Sequence, residues 1–308
     1  MSGAIGRGGM GVVWRGRQRG LNREVAVKTL PGGSLAGAEA RSRFRTEALA
    51  AARLKHANIV SVYDVGEEDG LPFLVMELVR GRTLSAVLAD GPLTARLAAR
   101  WMRDVAMAVD HAHSQGVLHR DLKPSNIFIE PDRDEGRPRV MDFGLAKIMD
   151  ADPGLTLTGA AMGSPAFMSP EQASGGESTE QSDVYGLGGV LYSALTGRPP
   201  FHGESLPTLL AQVQTQDVVS PRRLNASVPL DLNTICLKCL EKSPARRYAG
   251  AKALAEDLTR FLDGLPVHAR PVGWPVKLIR MSRRHPWRAA AALMGVAMLG
   301  VTFFSERH

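Results

Sequence analysis

Residues 119–126, HRDLKPSN, place a histidine, an arginine, an aspartate, a lysine and an asparagine directly before the apolar run Ile127-Phe128-Ile129. Pro124 and Ser125 favour a loop over a helix. The apolar run reads as a buried strand. Further on, Val140-Met141-Asp142-Phe143-Gly144 sets a second carboxylate after another short strand. Asn126 and Asp142 offer hard oxygen ligands, and Asp121 offers a base. Two carboxylates and an amide in one place suit a divalent metal and a phosphate.

Such groups need elements that bring them together. Ile5, Gly6, Arg7, Gly8, Gly9, Met10, Gly11, Val12 and Val13 form a GxGxxGxV stretch. Its glycines permit positive φ and let backbone N–H groups approach phosphate oxygens. In a dinucleotide-binding fold this pattern opens a helix. Here Val12, Val13 and Trp14 favour a strand, so strand, glycine loop, strand is expected. Residues 24–30, EVAVKTL, read as the next strand, with Ala26 and Lys28 on the face toward the glycine loop. Residues 38–55 read as an amphipathic helix whose apolar side, Phe44, Ala48, Ala51 and Ala52, includes Glu47. A carboxylate on a buried stripe needs a partner, and Lys28 is the expected one.

Residues 59–65 and 72–78 read as two more strands of the same sheet, turning at 67–70. A helix is expected from about 94 to 115, stopped by Gly116. His111 and His113 stand at i, i+2 on it and diverge, which argues against a metal pair. Residues 130–139 read as a polar surface hairpin loop with no catalytic part. Residues 182–196, apolar nearly all round, read as a buried helix capped by Asp183. Further helices are expected at about 204–216, 231–241 and 250–263.

HRDLKPSN at 119–126 and DFG at 142–144, behind the glycine loop and Lys28, resemble the catalytic loop and metal-binding signature of protein kinases. The resemblance runs from roughly residue 3 to residue 263, and its bacterial, membrane-anchored Ser/Thr members are the most similar. It implies an α+β, bilobal kinase fold. Residues 1–79 would be a small antiparallel-sheet N-lobe with one main helix, and 80–264 a larger, mostly helical C-lobe. It implies ATP and Mg2+ as cofactors and protein Ser/Thr hydroxyls as acceptors. Asp121 would accept the hydroxyl proton, Lys123 would stabilise the transferring phosphoryl group, and Asn126 and Asp142 would carry magnesium. Lys28, paired with Glu47, would hold the α/β-phosphates. Met76 falls at the gatekeeper position, and backbone groups of the Glu77-Leu78-Val79 hinge would hold the adenine edge. A lysine two positions after Asp121 is the Ser/Thr-kinase pattern.

The resemblance makes residues 144–171 the activation segment, with Thr156 and Thr158 as candidate autophosphorylation sites near Arg120. Ser164 stands where the family usually has Thr, and would bond Asp121 and Lys123. Ser169-Pro170-Glu171 replaces the usual Ala-Pro-Glu. Asp183 would anchor the catalytic-loop backbone, and Arg247 would pair with Glu171. The family has more first strand ahead of the glycine loop, so a shortened first strand is expected.

The composition bounds the alternatives. The chain has 308 residues, 44% of them hydrophobic, which is enough for a large core. A net charge of +7 with only 6% aromatic residues reads as a basic surface and tail, and no nucleic-acid partner is expected. Cys236 and Cys239 form a lone CxxC on a helical pattern and are expected to be buried, as in a reducing compartment. No leader peptide is expected at the start. Residues 265–288 are rich in proline and arginine and read as a juxtamembrane linker. The uncharged run 289–304 covers about 24 Å as a helix, against about 30 Å of hydrocarbon. With Arg280, Arg283, Arg284 and Arg288 before it, it is expected to be a single-pass anchor in the cell membrane with the kinase side cytoplasmic. Homodimers for trans-autophosphorylation are a further expectation. A pseudokinase would usually have lost Lys28, Asp121 or Asp142, and none is lost. Small-molecule phosphotransferases rarely carry a full DFG-to-APE segment.

Overall fold

Val12, Val13 and Trp14, then Val25, Val27 and Thr29, supply the β-branched and aromatic residues that a pleated, half-buried surface favours. β1 (Gly3–Gly8) and β2 (Gly11–Gln18) form a hairpin that closes at Gly8 and Gly11. β3 (Arg23–Thr29), β4 (Val62–Glu68) and β5 (Leu71–Glu77) complete an antiparallel sheet in the order β1-β2-β3-β5-β4. The computed structural model describes residues 3–8, 11–29, 38–132, 135–144 and 165–269. Asp69 and Gly70 turn β4 into β5 with φ of 50° and 75°, the pair of left-handed residues that a tight hairpin needs.

Helix α1 (Ala38–Ala52) lays Phe44 and Ala48 on this sheet, against Ala26, Val60, Leu74 and Met76. A second sheet pairs β6 (Arg82–Thr83), β7 (Ile127–Glu130) and β8 (Arg137–Val140), all antiparallel. The reading of 130–139 as a surface loop is therefore corrected. Its second half is a strand, Arg137–Val140, which pairs with β7 and has both faces covered, so Arg139 and Val140 are both buried.

The larger core is helical. α2 (Leu84–Leu88) and α3 (Ala95–Ser114) come first, then α4 (Pro170–Ala173) and α5 (Glu180–Thr196). α6 (Leu206–Thr215), α7 (Pro221–Leu224), α8 (Leu230–Cys239) and α9 (Ala251–Leu262) follow. Thr94 starts α3 by accepting from the Leu97 N–H at 3.3 Å, and Gly116, at φ 73°, ends the turn beyond it. α5 is the central post. Val184, Leu187, Val190 and Leu195 on it are fully buried, each contributing about 1.5–3 kcal/mol of transfer free energy. Its N-cap is Thr179, not Asp183 as expected. The Thr179 N–H donates to Ser182 Oγ at 3.0 Å, which leaves the Asp183 carboxylate for another task.

Cys236 and Cys239 are fully buried on α8, and burial raises both thiols, so they act as core residues as expected. Asp257 on α9 is also fully buried. It accepts from Tyr248 Oη at 2.7 Å and from the backbone N–H groups of His268 and Ala269 at 2.6 and 2.8 Å. Met1–Ala269 forms one compact unit and Arg270–His308 a second, which lies outside the described residues. Among the described residues, no helix is long and apolar enough to cross a membrane. The run 289–304 lies outside them, as do Gly9, Met10, Thr156, Thr158 and Ser164.

Candidate active site

β3 delivers Lys28, whose register partners are Val13 on β2 and Leu74 on β5. The lysine is 4% exposed, and its Nζ lies 2.6 Å from Asp142 Oδ2, itself 7% exposed. Asp142 follows β8 with φ 64°, and Arg120 has φ 68°. Left-handed backbone outside glycine costs about 1–3 kcal/mol and gathers at functional sites. Glu47 does not take Lys28 as its partner. It contacts Arg120 Nη1 at 3.4 Å, and its Oε2 lies beside Gly144. The expected Lys28–Glu47 pair is thus corrected, because Asp142 reaches the lysine directly and Arg120 offers the glutamate a second cation.

The catalytic-loop candidates converge by short bonds. Asp121 Oδ2 lies 2.7 Å from Lys123 Nζ. Asn126 Nδ2 donates to the Asp121 carbonyl at 2.8 Å and to its carboxylate at 3.0 Å. The amide nitrogen being so engaged, the Asn126 Oδ1 is its acceptor for a cation. Asp183 anchors the loop as expected, accepting from the His119 and Arg120 N–H groups at 2.8 Å each. His119 is fully buried. Burial pushes its pKa down, despite the carboxylates of Asp183, Asp121 and Asp142, and keeps it neutral. Its Nδ1 accepts from the Asp121 N–H at 3.3 Å, so Nε2 carries the proton and donates to the Met141 carbonyl at 3.0 Å. The ring also packs on Phe143 with centroids 4.7 Å apart. His119 therefore ties the 119–126 loop to the 142–144 stretch.

Glu171 and Arg247 form the expected pair, bidentate at 2.6 and 2.8 Å. Burial alone would raise the Glu171 carboxyl, but bonds from Arg247 and Ser182 outweigh it and hold the pKa at about 2. Gln172 then donates to the Arg120 carbonyl at 2.8 Å. Met76 is buried and lines a narrow cavity with Leu74, Met141, Asp142 and Phe143.

Three contributors escaped the sequence reading. Arg139 Nη2 lies 2.5 Å from Glu77 Oε2 and also donates to the Ile59 carbonyl at 3.0 Å, while Nη1 meets Glu130 at 3.3 Å. Its place in the short strand just ahead of Asp142 was the available signal. His113 Nε2 lies 2.8 Å from Asp183 Oδ2, buttressing the loop anchor from α3. Only its place on the inner face of α3 hinted at that. Gln172 gave no signal.

Among the described residues no cluster of three or more His, Cys, Asp and Glu gathers to hold a metal by itself. One carboxylate and one amide do fit magnesium, which keeps several waters and takes further oxygens from phosphates. Lys28, with its countercharge on Asp142, fits a phosphate arriving on the same side.

The chain was compared with known proteins. The protein kinase domain family matches residues 1–259. Serine/threonine-protein kinase PrkC of Bacillus subtilis is 41% identical over 260 residues, 84% of this chain and 40% of PrkC. Serine/threonine-protein kinase PknB of Mycobacterium tuberculosis is 40% identical over 274 residues, 87% of this chain and 43% of PknB. The chain thus spans about two fifths of the length of these relatives. The crystal structure of the Mycobacterium tuberculosis PknI kinase domain superposes with a TM-score of 0.69 at 25% identity, covering 85% of this chain and 94% of that one.

Proposed function

Since the chain belongs to the protein kinase family, we propose that it transfers the γ-phosphoryl group of ATP to serine and threonine hydroxyls of proteins. One observation carries this reading. Lys28 and Asp142, 114 positions apart, meet in one buried pair, and Asn126 and Lys123 both bond Asp121 beside it.

Asp121 takes the proton of the incoming hydroxyl and orients its oxygen, with Asn126 and Lys123 fixing its carboxylate. Lys123 stabilises charge on the transferring group, and Lys28 leaves Asp142 to bind the phosphates. The glycine stretch 5–13 closes over those phosphates, while the Glu77 and Val79 backbone holds the adenine. Asn126 and Asp142 would hold Mg2+, which when bound neutralises phosphate charge. Catalysis then rests on positioning and charge stabilisation.

Thr156 and Thr158 are the proposed autophosphorylation sites, acting in trans within a homodimer. Arg120 is the cation such a phosphate would draw from Glu47. We place the kinase on the cytoplasmic side of a membrane, anchored by 289–304 behind four arginines. Fractionation of chains with and without that run tests the anchor.

Asp121→Asn, assayed with Mg-ATP on a general protein substrate, should lower kcat at least about a hundredfold, the usual weight of a general base. Retention of wild-type turnover would remove the assignment. A sugar or antibiotic phosphorylated in preference to protein would favour a small-molecule phosphotransferase.

A further inference from the structure

A groove of about 290 Å3 opens between α2, the 119–126 loop and the turn after α5. Its polar lining among the described residues is Lys123, Arg198 and the hydroxyl residues Ser85, Ser125 and Ser193, with no carboxylate among them. Lys123 is also the residue bonded to Asp121 at 2.7 Å, so the groove starts beside the proposed base. An extended peptide covers about 3.3–3.6 Å per residue. A substrate offering its hydroxyl to Asp121 therefore lays a near neighbour along this groove.

The charges in it are unequal. Lys123 is already matched by Asp121. Arg198 is exposed and has no carboxylate partner among the described residues. Its backbone is fixed, since its N–H donates to Thr196 Oγ1 at 3.4 Å and its carbonyl accepts from the same hydroxyl at 3.0 Å. Asp90, just beyond α2, is engaged by Arg82 at 2.8 Å. A lysine or arginine seated here would meet the Arg198 guanidinium with no carboxylate between them. A carboxylate would gain charge-assisted hydrogen bonds from a guanidinium whose geometry matches it.

We propose that this groove is a specificity subsite for an acidic side chain, Asp or Glu, flanking the phosphorylated serine or threonine, with Arg198 as its selector. The inference rests on the kinase reading above. It goes beyond that reading by naming the substrate chemistry next to the acceptor.

The test uses the full chain, Mg-ATP and peptides with one threonine in a neutral frame. Glu, phosphoserine, Ala or Lys is placed singly at each of four positions on either side. The readout is the kcat/KM ratio between peptides within each variant, which cancels any general loss of activity. Glu is expected to outperform Lys about tenfold or more, equivalent to about 1.4 kcal/mol, at one position only. Arg198→Glu should invert that ratio, and Arg198→Gln should bring it near one. Four results overturn the proposal: no position favouring Glu, an equal Glu preference at every position from the overall basic charge, a preference kept by both variants, or phosphoserine tenfold better than Glu there. Wild-type protein that phosphorylates neither peptides nor itself sinks the kinase reading as well. Phosphorylation with a flat profile sinks only the groove.

Discussion

Arg139 is 7% exposed, yet it serves two glutamates that are 27% and 24% exposed, Glu77 in the proposed hinge and Glu130 on β7. Arg139→Met keeps the volume and removes the cation, leaving Glu77 without its arginine while Glu130 keeps Arg137 at 2.6 Å. Breaking a fully buried pair costs about 3–5 kcal/mol. With both acids partly hydrated, a loss of about 2 kcal/mol is expected, read by thermal unfolding. Because Glu77 sits in the proposed hinge, KM for ATP should also rise severalfold while kcat falls less. An unchanged KM would show that the pair is structural alone. At this scale the sequence revealed residues whose neighbours are close in the chain, such as Asp121, Lys123 and Asn126. It did not reveal Glu47 turning to Arg120 or Arg139 reaching Glu77, because both pairings depend on strands and helices meeting across distant segments.

Between elements, closeness is set by glycine. A Cβ on Gly186 of α5 would stand 2.8 Å from Leu122 Cβ, inside the 119–126 loop. A Cβ on Gly188, two residues on and nearly on the opposite face of the helix, would stand 2.4 Å from Cys239 Cβ on α8. Overpacking of this kind costs about 1–3 kcal/mol. Gly186→Ala should therefore lower both the melting temperature and kcat, because Leu122 follows the proposed base directly. Gly188→Ala should lower the melting temperature with a smaller effect on kcat. Equal kcat losses in both would contradict this division. The helices themselves were legible from period and punctuation: expected spans near 94–115, 204–216, 231–241 and 250–263 differ from α3, α6, α8 and α9 by a residue or two at each end. The short α2, α4 and α7 were missed, since four or five residues carry no period. Asp183 misled as a cap because an acidic residue near a helix start usually serves that role, whereas Thr179 stood ready to do so.

For the whole molecule, the Glu171–Arg247 pair joins α4 to the turn before α9. The carboxyl falls from an ordinary 4.5 to about 2 in the fold. Its stabilisation is complete above pH about 4.5 and is lost as pH falls toward 2, about 3 kcal/mol by linkage. Urea unfolding of the wild type should thus lose stability steeply over that range. Glu171→Gln should be less stable at neutral pH and show a shallower acid slope. Parallel slopes in the two proteins would locate the acid sensitivity elsewhere.

Asp257 gives the body a fixed exit. Its carboxylate grips the main chain at His268 and Ala269 from a position with no solvent access, and Tyr248 braces it from behind. A pull on the chain at Ala269 would thus be taken up first by two main-chain hydrogen bonds to Asp257 on α9.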